Sequence, residues 1–187
     1  MPISSWRPIV GTALGAGVAL AVACGSASDG SAVAPGIQAT FLADRSSPES
    51  ASVSLVQAAT AGDLVTVHAS VTDVAGLYGA GFYLTVDPAI VAFVRYAPGD
   101  VLETGGHSPV YLVDASQPGL IVVSTTRLGA VPAVDVTGTR TLLSLTFRGI
   151  GVGACHVTFH GAALYGDQLQ PQPMPGIRWY GGEFVGG

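Results

Sequence analysis

The chain contains no lysine. That absence excludes Schiff-base catalysis by a lysine amine, a Walker-type phosphate lysine and an acetyl-lysine switch. Charge of any kind is scarce, with charged residues at 10 % of 187 and a formal net charge of −5. The arginines form no cluster, so the basic footprint that nucleic-acid binding requires is missing. Cysteine is down to two residues and aromatics to 7 %. What fills the space is hydrophobic residue at 49 % and 26 glycines, the latter about twice the usual ~7 %. So much Gly and Val with so little charge excludes a coiled coil or long helical bundle. Disorder is excluded by the same numbers, because it needs low hydrophobicity and high charge.

The first 23 residues read as an export signal. Met1–Arg7 carries one positive charge, and Pro8–Ala23 is uncharged and rich in Ala, Gly, Val and Leu. That stretch is shorter than the ~20 apolar residues of a spanning helix. It ends in small residues before Cys24, the layout of a cleaved signal. Gly25–Ser50 is mostly Gly, Ser, Ala, Pro and Asp and reads as a flexible tether reaching on the order of 25–30 Å. Within it only Ile37–Leu42 has the apolar character of an ordered contact. The domain is expected from Ala51 to Gly187.

From Ala51 onward the pattern is alternation, broken by Gly, Pro and Asp. Val65, Val67, Ala69 and Val71 share one face, as do Ala80, Phe82, Leu84 and Val86, and Leu143, Leu145 and Phe147. Period-two alternation with one polar face marks antiparallel sheet packed on one side. Nine strands are predicted: Val53–Gln57, Leu64–Val71, Gly79–Val86, Val91–Tyr96, Val110–Asp114, Leu120–Thr126, Arg140–Arg148, His156–His160 and Arg178–Val185. The fold class is all-β, a sandwich or jelly roll.

Four segments in order then carry a resemblance. Gly76–Pro88 (GLYGAGFYLTVDP), followed by the apolar pair Ile90-Val91, resembles the third-strand signature of cohesin domains. Pro98–Leu102 (PGDVL) resembles that family's turn, and Gly119–Gly129 (GLIVVSTTRLG) its sixth strand. Gly138–Phe147 (GTRTLLSLTF) resembles its eighth-strand motif, with Arg140 standing where the family has a second Gly. The resemblance spans about Ala51 to Val185 and implies an antiparallel jelly roll of nine strands. It further implies a dockerin-facing sheet built here from Gly79, Gly81, Tyr83, Thr85, Tyr111, Val122, Ser124 and Thr126. Familiar cellulosomal cohesins carry polar residues where this chain has Gly79 and Gly81. At the N-terminus, Leu20-Ala21-Val22-Ala23-Cys24 resembles the lipobox of bacterial lipoproteins, although Leu20 lies one place further out than usual. That implies a lipid on Cys24 and a cell-envelope location facing outward, or secretion where Cys24 is not modified.

Sites for chemistry are few. His156 and His160 lie on one strand face, but four residues separate them by about 13 Å at ~3.3 Å per residue, too far for one metal ion at ~2 Å from each nitrogen. His68 and His107 add no third ligand to either, so no metal is expected. An Asp-rich calcium run is lacking. Gly149-x-Gly151-x-Gly153 lacks dinucleotide-loop spacing and runs into a strand, so it is a turn. No G-x-S-x-G elbow is present. The three glutamates, Glu49, Glu103 and Glu183, are scattered, and Asp63, Asp73, Asp87 and Asp100 occupy turn positions, which leaves no carboxylate pair for glycoside hydrolysis. No cofactor is expected. Cys155, between Ala154 and His156, suits a small buried apolar residue.

Three functional readings remain. One is a non-catalytic module that binds a protein, a dockerin-bearing one by the resemblance. A second is a carbohydrate-binding surface protein that stacks polysaccharide on Tyr83, Tyr111, Trp179 and Tyr180. A third is an envelope lipoprotein whose sheet packs on another envelope component. Gly79 and Gly81 carry two readings as well, either a bare strip that another backbone approaches closely or relief of twist and bulge.

Overall fold

The computed structural model describes residues 36–166 and 172–187. These form two packed sheets with no helix among them. The strands are β1 Ala39–Ala43, β2 Ser52–Ala61, β3 Leu64–Leu77, β4 Gly79–Thr85, β5 Val91–Pro98 and β6 Val110–Asp114, then β7 Leu120–Thr126, β8 Val134–Gly149, β9 Gly153–Tyr165, β10 Arg178–Tyr180 and β11 Gly182–Gly186. One sheet has six strands in the order β1-β11-β9-β4-β7-β6, and the other five in the order β10-β2-β3-β8-β5. All pairs are antiparallel except β10 with β2.

The alternation places its apolar residues between the sheets. Val65, Val67, Ala69 and Val71 are buried, and so are Ala80, Phe82, Leu84, Leu143, Leu145 and Phe147. Two aromatic groups anchor this interior. Phe82 meets Phe159 edge-on at 5.1 Å, with Trp179 5.0 Å from Phe159. Phe184 lies 4.9 Å from Phe41 and 4.8 Å from Phe147. Edge-to-face pairs of this kind contribute ~0.5–1.5 kcal/mol each beyond their burial.

The expected turns form as their residues dictate. The Asp87 carboxylate accepts from the Ala89 amide at 2.8 Å, and Pro88 ends the strand. In the PGD turn, Val101 and Leu102 are fully buried plugs. Asp100 beside them accepts from Arg140 Nε at 3.0 Å and Nη2 at 2.9 Å. The arginine that departs from the family motif therefore ties that turn to β8.

Eleven strands replace the nine expected, for two reasons. The expected Arg178–Val185 strand is two strands in different sheets, since the chain crosses at Gly181, where a Cβ would collide with the Val157 carbonyl. The other is β1, which lies within the segment read as tether. Its register from Ala39 opposite Gly186 to Ala43 opposite Gly182 makes it an edge strand of the six-stranded sheet. Phe41 is 4 % exposed, and its amide donates to Gln57 Oε1 at 2.6 Å. The ordered domain therefore starts ahead of Ala51, and the apolar Ile37–Leu42 patch is what orders it. Ser46–Ser50 is also tied down, because Glu49 accepts from Arg45 at 2.8 Å, from Tyr180 at 2.7 Å and from Arg178. Cys24 and the export segment lie outside the described residues.

Candidate functional site

The outer face of the six-stranded sheet is built in cross-strand rows. The central row runs Asp114, Val122, Tyr83, His160 across β6, β7, β4 and β9. The next row up runs Leu112, Ser124, Gly81, Ala163, and the one above it Val110, Thr126, Gly79, Tyr165. Below the central row, Leu120, Thr85 and Thr158 are neighbours. Seven of the eight residues expected on this face therefore share one contiguous block: Gly79, Gly81, Tyr83, Thr85, Val122, Ser124 and Thr126.

Tyr111 does not join them. It pairs with buried Thr125, on the opposite side of β6 from Val110 and Leu112. Its ring packs 6.4 Å from Tyr96 at the open edge between the sheets. Burial, then the Glu103 charge, pushes its phenol up from the ordinary range. Beside Asp114, the apolar residues β6 contributes to the face are Val110 at 45 % exposure and Leu112 at 60 %. Both parities of Val110–Asp114 are largely apolar, so alternation alone assigns neither side.

The two glycines differ. Gly79 is buried, and a Cβ there would sit 2.6 Å from the Thr125 carbonyl oxygen. It is a close-approach glycine that lets β7 lie against β4, so the bare-strip reading fails at this position. A Cβ on Gly81 would make only ordinary contacts, with the Tyr165 ring at 3.7 Å and the Val123 carbonyl oxygen at 4.0 Å, and the residue has no positive φ. There the strand surface is open on one side and bounded by Tyr165 on the other.

Tyr83 stands at the centre, 45 % exposed. Its position depends on a β-bulge in β9, where the register shifts between Gly81 and Tyr83. Gly161 in that bulge has φ +54°, and a Cβ on it would sit 2.8 Å from Tyr83 Cε2. The bulge also reverses the parity of β9, so that His160 and Ala163 both face outward. Beside Tyr83, His160 Nε2 lies 2.8 Å from Thr158 Oγ1 and 3.2 Å from Thr85 Oγ1. Along the sequence His160 carries no signal beyond that of a surface histidine. Its cross-strand place opposite Tyr83 depends on the pairing of β4 with β9, which no local pattern encodes.

The face is nearly without charge. β4 and β7 carry no ionisable group on it other than Tyr83, and carboxylates stand toward its margins, Asp114 on β6, Glu183 opposite His156 in the β11–β9 register, and Asp44 beside Gly181. The Ser116 amide and hydroxyl hold the Asp114 carboxyl below its ordinary value.

Other candidates are placed elsewhere. Trp179 packs against Phe82 and Phe159, and Tyr180 carries the Arg45 guanidinium 5.1 Å above its ring. Of the four aromatics considered as sugar platforms, only Tyr83 stands on this face. Cys155 is buried, accepts from the Asp87 amide, and has its thiol pushed up by burial. Among the described residues, no group of three His, Cys, Asp or Glu side chains converges as metal ligands do.

No family model matches the chain, and no curated protein matches it in sequence. Solved structures do. Type II cohesin A11 from Bacteroides cellulosolvens superposes with a TM-score of 0.58 at 13 % identity, covering 72 % of this chain and 98 % of that one. The type II cohesin dyad from the adaptor ScaA scaffoldin of Acetivibrio cellulolyticus gives 0.55 at 15 %, covering 70 % of this chain and 46 % of the dyad. The third cohesin ScaC of Acetivibrio cellulolyticus, solved in complex with the ScaB dockerin, gives 0.53 at 17 %, with 66 % and 88 % covered. This chain therefore has the cohesin fold, an all-β two-sheet sandwich.

Proposed function

We propose that this domain is a non-catalytic module that binds a protein partner on the outer face of its six-stranded sheet. The observation that carries the reading is the block around Gly81 and Tyr83. It is almost uncharged and lined by exposed Tyr83, Val110 and Leu112. Exposed apolar groups gathered on one face mark interaction surfaces. An aromatic at the centre of such a patch buries large area at small entropic cost. A helix laid across β4 at Gly81 meets backbone there, with only the short Ser124 side chain beside it on β7. The cohesin fold, and a neighbour solved with a dockerin, support a dockerin-bearing partner as the finer reading.

The carbohydrate reading now rests on Tyr83 alone, because Tyr111, Trp179 and Tyr180 are packed or covered. The location belongs to the same proposal. Lipidation of Cys24 would hold the domain at the outer side of a cell envelope, since two or more acyl chains suffice for stable anchoring. Cys24→Ser should then move the protein from the detergent phase to the soluble fraction, and an unchanged distribution would remove the anchor.

The face is tested by pull-down from the source's secreted and envelope fractions, comparing wild type with Gly81→Arg and Tyr83→Ala. Capture of one protein with duplicated calcium loops, lost in both variants while their melting temperatures hold, supports docking here. Retention on insoluble polysaccharide with no captured protein would transfer the function to sugar binding.

A further inference from the structure

Four strands form the edges of the two sheets, β1 and β6 in one, β10 and β5 in the other. An edge strand offers a row of unpaired N–H and C=O groups, which proteins blunt with charge, proline, bulges, shortness or a covering group. Lysine, the favoured guard, is absent from this chain. Three of the edges are blunted by other means. β10 is three residues long and carries Arg178. β5 carries Arg95 and Pro98 and is bulged between Phe93 and Arg95. On β1 the Phe41 amide already donates to Gln57 Oε1 at 2.6 Å.

β6 is guarded by none of these. Its five residues, Val110–Asp114, include no arginine and no proline, and none of them is buried. It pairs with β7 without a register shift. Apart from that ladder, no main-chain group of Val110–Asp114 has a hydrogen-bond partner among the described residues. Its one charge, Asp114, is turned back on the following turn, where it accepts from the Ser116 amide at 2.9 Å. Exposed apolar side chains gather on this side of the sandwich, with Val94 and Tyr96 on β5 beside Val110 and Leu112 on β6.

The strand that fits this edge is β6 of a second copy, run antiparallel. Centred on Leu112, the pairing sets Leu112 against the partner subunit's Leu112 on the outer side. On the inner side Tyr111 meets the partner subunit's Val113, twice by symmetry. Aromatic against β-branched is a favourable cross-strand pair. The two Asp114 carboxylates fall at opposite ends of the ladder, about 14 Å apart along it at ~3.4 Å per residue. A parallel pairing would set them side by side, so charge selects the antiparallel one.

We propose that β6 is a self-association edge, on which two copies pair antiparallel about a two-fold axis at Leu112 and join their six-stranded sheets into one of twelve. The contact is isologous and closes at the dimer. Residues directly opposite one another on paired strands point to the same side, so both outer faces look the same way. Tyr83 and the partner subunit's Tyr83 then stand five strand spacings apart, about 24 Å at ~4.8 Å each. The edge carries this inference without the docking reading, and where that reading holds, the dimer presents the face twice. So short a ladder makes a small interface, and small interfaces are weak. The dimer therefore forms and dissociates with concentration.

The experiment is sedimentation velocity of the full chain carrying Cys24→Ser, which removes any acyl chain and the Cys24 thiol from the association. A monomer–dimer equilibrium is expected between about 1 and 500 µM, and a monomer throughout overturns the proposal. Leu112→Arg sets like charges opposite one another and should weaken the dimer about tenfold or more. Its melting temperature should hold, because Leu112 is 60 % exposed. Leu42→Arg, equally exposed on guarded β1, should leave the dimer unchanged. The register has its own readout. Leu112→Cys should oxidise to a covalent dimer, because opposed Cα atoms of an antiparallel pair lie ~4.5–5.5 Å apart, within disulfide reach. Cys155 is buried and does not compete. A dimer that survives Leu112→Arg, or Leu42→Cys cross-linking as readily as Leu112→Cys, would place the association elsewhere and overturn the role of β6.

Discussion

The ring of Tyr83 lies across Gly161, close enough that a Cβ on the glycine would stand 2.8 Å from Tyr83 Cε2. One residue supplies the side chain at the centre of the face, and the other supplies the space that lets it lie there. Gly161 also has φ +54°, a conformation that costs a residue with a Cβ about 1–2 kcal/mol.

Gly161→Ala should therefore destabilise through two separable effects. The backbone part is about 1–2 kcal/mol, and displacement of the Tyr83 ring from its rotamer adds about 0.5–1.5 kcal/mol. In a Tyr83→Ala background only the backbone part should remain. Urea melts of the four proteins in that cycle check the difference, and equal losses in both backgrounds would show that the ring and the glycine are not coupled.

Gly79 and Gly81 should respond differently to alanine. At Gly79 the new methyl meets the Thr125 carbonyl at 2.6 Å, and overpacking of this kind costs about 1–3 kcal/mol. At Gly81 it makes ordinary contacts, with the Tyr165 ring at 3.7 Å and the Val123 carbonyl at 4.0 Å, and replacing glycine within a strand gains up to ~1 kcal/mol. Thermal melts should move in opposite directions. Equal shifts would mean that β4 and β7 are not in the register Gly79 opposite Thr126.

The alternation along β4 is tested by Phe82 and Thr85. Phe82 is 2 % exposed beneath Phe159 and Trp179, so Phe82→Ala should cost about 3–5 kcal/mol. Thr85→Ala on the outer face should cost under about 1 kcal/mol. Denaturant midpoints that fall equally would place the strand one residue out of step.

Glu49 should contribute to acid sensitivity. The Tyr180 hydroxyl, with Arg45 and Arg178, holds its carboxyl below the ordinary value of 4.5 despite some loss of hydration. A lowered carboxyl favours the folded state above its unfolded value, and that contribution disappears as pH falls through the folded value. Melting temperatures of wild type and Glu49→Gln should therefore differ at pH 6 and converge as the pH falls through the lowered value. A gap that stays constant down the whole acid limb would mean the carboxylate charge is not what ties the Arg45–Glu49 segment to β10.

Local pattern carried most of the fold. Each apolar run on β3, β4 and β8 faces inward as its alternation dictates, because the side-chain period of a strand is two whatever its neighbour is. Asp87-Pro88 and Pro98-Gly99-Asp100 turn where their own chemistry turns them. The choice of the face residues came from the cohesin resemblance, and strand parity puts seven of them on one outer side.

Tertiary structure decided the rest. Ala39–Ala43 is a strand only because β11 offers it an edge and the sandwich buries Phe41, and both partners come from far along the chain. The one strand expected from Arg178 to Val185 became two because its halves find partners in opposite sheets. Tyr111 turned inward because Thr125 stands opposite it, since the alternation of β6 favours neither side. His160 reached Tyr83 through a bulge that exists where β9 meets β4. Parity belongs to a strand alone and can be read from its residues, whereas adjacency is set by contacts between residues distant in sequence, and the centre of this face is made of adjacency.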